Sequence, residues 1–317
     1  MSLPPYVEYG GRVDSPAPFL SDGGELRALA LDADAEKLDA LVERALTVPA
    51  QGAVEYRAIG GIVLLQAGRF ARVSCQVPPF DQWGGVPEVV ACFWVPVLAG
   101  REHLGVFVAE RFGFFAPFVF VNNPMSYVGG RDVYGYSKSE ARFEPASGRG
   151  PKLKVSTFGG NFTAESQAGW HKVLEIEQLD GGGPAGEVLE GIKDVAGALV
   201  PGLIDLIKTD GDLELPGLKL MQSVLSAALA GRGNQVFLKQ FRDADDGTRA
   251  CYQAVVEAGA TFTKAKARPV GHAVRVTIHP LDSHPITEEL GVATQTTSRV
   301  LDCELSFVVE RGEVVAP

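Results

Sequence analysis

Cysteine is scarce in this sequence. The four residues, Cys75, Cys92, Cys251 and Cys303, are scattered with no C-x-x-C pair. That spacing points to neither a zinc site nor a disulfide framework, and reduced thiols in a cytoplasmic setting are the simplest reading. The five histidines, His103, His171, His272, His279 and His284, lack the close helical spacing of a metal pair, although His279 and His284 could approach each other. No metal is therefore expected. Cations are also in deficit, with 29 Lys and Arg against 39 Asp and Glu and a formal net charge of −10. No basic run interrupts that balance, which excludes a nucleic-acid partner that would be held through its phosphates. No window approaches the roughly eighteen uninterrupted apolar residues of a membrane-spanning helix. The opening Met-Ser-Leu-Pro-Pro-Tyr has no basic stretch leading into an apolar one, so no secretory signal is expected. No G-x-G-x-x-G follows a strand and opens a helix, so hydride transfer from a dinucleotide is not expected either.

What is present is an ordinary globular composition, 46% hydrophobic and 21% charged, rich in turns with 37 Gly and 20 Pro. A chain of 317 residues can bury a large core without staples, and no linker divides it, so a single domain over residues 1–317 is expected. Glu25 to Leu31 reads as a strand. Asp34 is a suitable N-cap for a helix that places Leu38, Leu41, Val42 and Leu46 on one face and stops at Pro49. From Gly60 onward short β-branched and aromatic runs predict strands at 62–65, 89–98, 105–108 and 112–121. The same texture returns at 152–158, 170–177, 235–240, 250–256, 258–268, 273–278 and 300–309. Neighbouring strands without intervening helices predict an α+β protein, mainly an antiparallel sheet or barrel with flanking helices. One stretch differs. After Gly181 to Pro184, residues Glu187 to Lys208 carry apolar side chains at helical spacing, which predicts a helical insertion at about 181–218 that serves as an oligomerisation element or a lid. A short helix is predicted at Leu220 to Leu229.

The chemically specific segment runs from Asn122 to Ala141. It leaves an aromatic strand, passes a Gly129–Gly130 turn with Arg131 and Asp132 beside it, and presents Tyr134, Tyr136 and Lys138 at alternate positions. If extended, these three share one face. By chemistry alone Lys138 has two readings: a solvated or salt-bridged lysine at a strand end, or a nucleophile held among aromatic rings. An unperturbed lysine is neutral only about once in a few thousand molecules at pH 7, so about 4 kcal/mol separates an inert amine from one ready to attack a carbonyl. Burial among apolar rings acts in the required direction. The run Phe112, Phe114, Phe115, Phe118 and Phe120 either supplies such rings or is an ordinary sheet core.

The segment resembles the active-site region of the acetoacetate decarboxylase superfamily, whose pattern is Gly-Arg-Glu, a few mixed residues, then Tyr-Pro-Lys-Lys. Here it stands as Gly130, Arg131, Asp132 and then Tyr136, Ser137, Lys138, Ser139. The similarity extends through Val119 to Pro124, Asn234 to Phe241, Ala258 to Phe262 and His284 to Leu290, covering roughly residues 15–177 and 220–317. The resemblance implies a Schiff-base-forming carbon–carbon lyase that decarboxylates a small β-keto acid. It further implies Lys138 and Glu102 as catalytic residues, with Glu110 as the alternative glutamate, and Ser139, Tyr134, Tyr136 and Arg131 as substrate-binding. No organic cofactor is implied, since the lysine supplies the electron sink. A homo-oligomer is expected. Ser139 stands where the pattern has its second lysine, and Arg27 is displaced from the pattern's N-terminal arginine, so that arginine's role is not carried over. These departures keep two alternatives open: a pyruvate-type aldolase-dehydratase using the same lysine, and a non-catalytic small-molecule binding protein.

Overall fold

A computed structural model of the chain describes residues 4–8, 14–180, 189–190 and 232–316. The expected helix at 220–229, and the expected insertion at 181–218 apart from Leu189 and Glu190, lie outside the described residues.

The order begins with β1 (Phe19–Asp32), α1 (Ala35–Val42), β2 (Glu55–Ala58), β3 (Ile62–Cys75), β4 (Val86–His103) and β5 (Val106–Val121). It continues with α2 (Pro124–Val133), β6 (Lys138–Glu144), β7 (Lys152–Gly159), β8 (Gly169–Gln178) and the short β9 (Leu189–Glu190). The remainder is β10 (Arg232–Arg242), β11 (Ala250–Pro269), β12 (Val274–Ile278), α3 (Ile286–Leu290), β13 (Gln295–Thr297), β14 (Val300–Val309) and β15 (Glu313–Ala316). The expectation of a mainly antiparallel barrel with flanking helices is met. Strands β5, β10, β11, β14, β1, β3 and β4 follow one another by hydrogen bonding, and β4 pairs back onto β5, closing a ring. A barrel closed in this way has no free edge along its wall. From β5 a second sheet branches in the order β6, β7, β8, β12, β13.

Strand β5 makes both structures possible, because it changes partner along its length. It pairs with β10 in parallel at Phe114 and Phe115, and with β6 in parallel at Val119 to Val121. Lys138 opens β6 directly opposite Val119. It therefore sits at the fork between barrel and second sheet.

Side-chain alternation separates one large core cluster from two smaller ones. Phe93, Phe120, Leu38, Val155 and Ile286 belong to a large cluster between barrel, second sheet and helices. Cys92, Val90, Phe70, Leu26 and Val119 belong to a separate cluster facing the other way. Helix α1 begins where expected, with the Asp34 side chain accepting from the backbone N–H of Glu36 and Lys37.

Three local expectations are corrected. The runs at 105–108 and 112–121 are one strand, as are those at 250–256 and 258–268. The charges that divide those runs, Arg111 and Glu257, pair with each other at 2.9 Å, so each strand continues through them. Leu189 and Glu190, expected in a helix, form a two-residue strand against β11. Gly129 and Gly130, expected in a turn, lie inside a helix over Pro124–Val133.

Candidate active site

That short helix aims the site. Asn123 caps α2 by accepting from Ser126 N–H at 2.7 Å, and Pro124 follows at the first helical position, where no N–H is needed. Asn123 also donates to Pro87 O at 3.2 Å, and Asn122 accepts from Val89 N–H at 2.8 Å. The two asparagines thus bracket Glu88 on β4. From these anchored positions Lys138, Ser126 and Glu88 converge. Lys138 Nζ donates to Ser126 Oγ at 2.6 Å and lies 3.5 Å from Glu88 Oε2, and Ser126 Oγ donates to the same carboxylate oxygen. The lysine and glutamate side chains are only 12% and 8% exposed, so this is a nearly enclosed ion pair with a hydroxyl between its members.

The stem of Lys138 lies over Gly130. A Cβ on Gly130 would stand 2.8 Å from Lys138 Cδ and 2.9 Å from Cε, so only glycine leaves the lysine its present path. Beneath the ammonium is the Tyr136 ring, its centroid 5.0 Å from Nζ. The Tyr136 hydroxyl donates to Gln235 Oε1, and burial pushes its pKa well up, so it stays a neutral donor. The Cys92 thiol, on the same strand face as Glu88, is likewise pushed up by burial. These groups line a cavity of about 180 Å³ whose other walls include Phe19, Phe70, Trp94 and Phe307. An amine, a hydroxyl and a carboxylate in contact can pass a proton from the first to the last.

The fold can be compared with solved structures. Acetoacetate decarboxylase from Legionella pneumophila superposes with a TM-score of 0.54 at 14% identity, over 100% of this chain and 92% of that one. The chain has the acetoacetate decarboxylase-like fold. An acetoacetate decarboxylase-like enzyme from Sphingomonas wittichii RW1 matches at a TM-score of 0.52 and 11% identity, over 95% of this chain and 94% of that one. The enduracididine biosynthesis enzyme MppR, complexed with the condensation product of pyruvate and imidazole 4-carboxaldehyde, matches at 0.53 and 9%, over 97% and 92%. No protein-family profile and no curated protein sequence matches the chain.

Within this acetoacetate decarboxylase-like barrel, the residues singled out from sequence separate into two groups. Lys138, Tyr134 and Tyr136 line the cavity. Tyr134 caps the end of α2, and its hydroxyl is occupied by Val309 O and Glu310 O at 3.2 and 2.8 Å, so it anchors α2 to the end of β14.

The rest lie elsewhere. Glu102 is exposed near the tip of the β4–β5 hairpin, opposite Phe107. It is fourteen positions beyond Glu88 on one strand, roughly 45 Å by strand rise. The alternative, Glu110, is paired with Arg111 at 3.4 Å. Ser139 points to the opposite face of β6 from Lys138, where its hydroxyl meets His284 Nε2 at 3.0 Å. Burial holds the His284 imidazole below its ordinary pKa. Arg131 is exposed on α2 and donates to the backbone carbonyl of Lys138 at 3.3 Å, so it steadies the strand and does not face the cavity. Arg27 is engaged by Asp302 at 2.8 Å. Of the phenylalanines of β5, Phe115 and Phe120 are buried in the large cluster and Phe118 packs against it, while Phe112 and Phe114 are half-buried and meet edge to face.

Sequence reasoning missed Glu88 and Ser126. A signal for Glu88 existed: at alternate positions β4 reads Glu88, Val90, Cys92, Trp94, one carboxylate on an otherwise apolar or weakly polar face. Ser126 carried no comparable signal, since a serine near a helix start is ordinary.

Proposed function

We propose that this protein is a Schiff-base-forming carbon–carbon lyase that decarboxylates a β-keto acid through an iminium on Lys138. The observation that carries this reading is the contact between Lys138 Nζ, Ser126 Oγ and Glu88 Oε2 inside a largely apolar cavity. Glu88, directly and through Ser126, takes the proton that the ammonium must lose before its nitrogen can attack. The neutral amine adds to the ketone carbon, and water leaves as the iminium forms. The bond to the carboxylate then breaks, and its electron pair flows into the iminium to give an enamine and carbon dioxide. Glu88, having given its first proton to the departing water and drawn another from solvent, protonates the α-carbon and regenerates an iminium, which water hydrolyses to product ketone and free lysine. Loss of the carboxylate suits these surroundings. Its charge, unfavourable beside Phe70 and the Glu88 carboxylate, vanishes as carbon dioxide departs.

The test is reductive trapping. Incubation with acetoacetate and borohydride, followed by peptide mapping, is expected to place a stable amine adduct on Lys138, and Lys138→Ala is expected to give none. The condensation product held by the structurally similar MppR favours a second reading, a pyruvate-type aldolase using the same lysine. Faster labelling by pyruvate than by acetoacetate supports that reading over decarboxylation. A folded protein labelled by neither supports a non-catalytic binder.

A further inference from the structure

The Schiff-base reading leaves most of the cavity wall without a task. The polar array that the reading uses is formed by Glu88, Ser126, Lys138 and the Tyr136–Gln235 pair, while Ser21, Gln66 and Ser74 add scattered polar groups along β1 and β3. Directly across the strand pair from Glu88 is Phe70, which is buried. Phe70 meets Phe307 edge-on with ring centroids 5.6 Å apart. The apolar wall therefore begins one strand away from the carboxylate. Towards solvent, the cavity is lined by Phe80 and Trp83, which pack edge to face at 4.7 Å, and by Met125. Trp83 is 60% exposed and Met125 38% exposed. The charged side chains among the described lining residues are Asp14, Glu88 and Lys138, two carboxylates to one ammonium.

A small keto acid on Lys138 would leave those rings against water. An acid with an apolar substituent would cover them, and its burial would offset the cost of bringing a carboxylate beside Glu88, since binding energy from a remote group can drive unfavourable placement at the reacting one. The cavity, at about 180 Å³, exceeds the ~150 Å³ apolar cavity that takes up a benzene ring, and it opens onto further aromatic surface at the mouth. We infer that the carbonyl substrate of Lys138 carries a ring-sized apolar substituent, seated against Phe70 and Phe307 and reaching the aromatic mouth at Phe80 and Trp83. This rests on the Schiff-base assignment for where the reacting carbonyl sits. Trp83 is then a specificity-determining residue.

The test separates binding from imine formation. Dissociation constants for 4-phenylbutan-2-one and 2-butanone are measured by calorimetry on the wild-type protein, on Lys138→Ala and on Trp83→Ala. The aryl ketone is expected to bind at least about tenfold more tightly to the first two, and Trp83→Ala is expected to reduce that preference at least about threefold. Equal affinities of the two ketones, or a preference untouched by Trp83→Ala, overturn the inference. Borohydride trapping with the same ketones reads the underlying assignment separately. Trapping on Lys138 without an aryl preference in binding preserves the Schiff base and rejects the substrate class. An aryl preference without trapping rejects the Schiff base and retains the apolar-group site.

Discussion

A carboxylate on an apolar strand face has to be held there by its neighbours. Glu88 is held by the asparagines that bracket its strand, by Ser126 and by the Lys138 ammonium. Its proposed task, moving protons on and off the lysine, needs the charge. Glu88→Gln is therefore expected to cost about 3 kcal/mol of stability, since it removes the partner of a buried ammonium, and to slow decarboxylation by about a hundredfold or more, the usual scale of general acid–base catalysis. Glu102→Gln, at the exposed hairpin tip, is expected to change the rate less than about twofold. Parallel rate measurements on the two variants check this, and similar losses in both would remove Glu88 from the mechanism. The choice between these glutamates was not legible from spacing. Counting residues back from Asn123 assumes a hairpin length, and the actual β4–β5 hairpin, 18 and 16 residues long, carries Glu102 far past the site. Lys138 was singled out through the pattern it shares with the acetoacetate decarboxylase superfamily, and two members of that pattern, Gly130 and Tyr136, are also its neighbours in space.

At the scale of elements, α2 has to be a helix and also leave space for a lysine. Its Gly129–Gly130 pair suggested a turn, yet the Asn123 cap and Pro124 dictate a helix start, and the local cap prevails over the weak propensity of glycine. Gly130→Ala should consequently separate folding from function. Alanine favours the helix by about 1 kcal/mol, so the melting temperature should hold or rise. The new Cβ displaces the flexible end of Lys138, so borohydride labelling should fall by about tenfold or more. Unchanged labelling would show that the lysine finds another path to the same point. In the second sheet, Glu175 on β8 is engaged by Lys172, Lys152 and His279. Together these partners, Lys172 first, lower the Glu175 pKa from 4.5 to about 2. A carboxylate depressed by folding stabilises the folded state above its unfolded value and loses that contribution as pH falls towards the folded one. Between about pH 4.5 and 2 the melting temperature of the wild-type protein should fall more steeply than that of Glu175→Gln. Parallel slopes would mean that the cluster contributes nothing to acid stability.

For the whole molecule the question is what keeps the ring shut. Most neighbouring strands pair over many residues, but β5 and β10 share only Gln235 with Phe114 and Val236 with Phe115. This is the narrowest seam in the barrel, and it lies beside the site, since Gln235 receives the Tyr136 hydroxyl. Glu257 on β11 stands opposite Val236 and reaches past it to Arg111 on β5, receiving Nε at 3.0 Å and Nη2 at 2.9 Å. Tyr56 on β2 donates to the same carboxylate at 2.7 Å, and burial keeps that phenol protonated well above its ordinary range. Three strands are thereby braced across one weak joint. Neither charge was interpretable from sequence: 146 positions apart, each looked like a break in a strand. Glu257→Gln removes the bidentate charge partner of a half-buried guanidinium, at a cost of about 2–3 kcal/mol, or several degrees in melting temperature. Replacing both residues, Arg111→Met with Glu257→Leu, leaves no buried charge unpaired, although it removes the acceptor of the Tyr56 hydroxyl, and should cost less than the sum of the single changes. Thermal melts of the single and double variants supply that comparison. Additive losses would mean that the residues act separately. Coupled losses, accompanied by weaker borohydride labelling of Lys138 in Glu257→Gln, would show that closing this seam also holds Gln235 and Tyr136 in place beneath the amine.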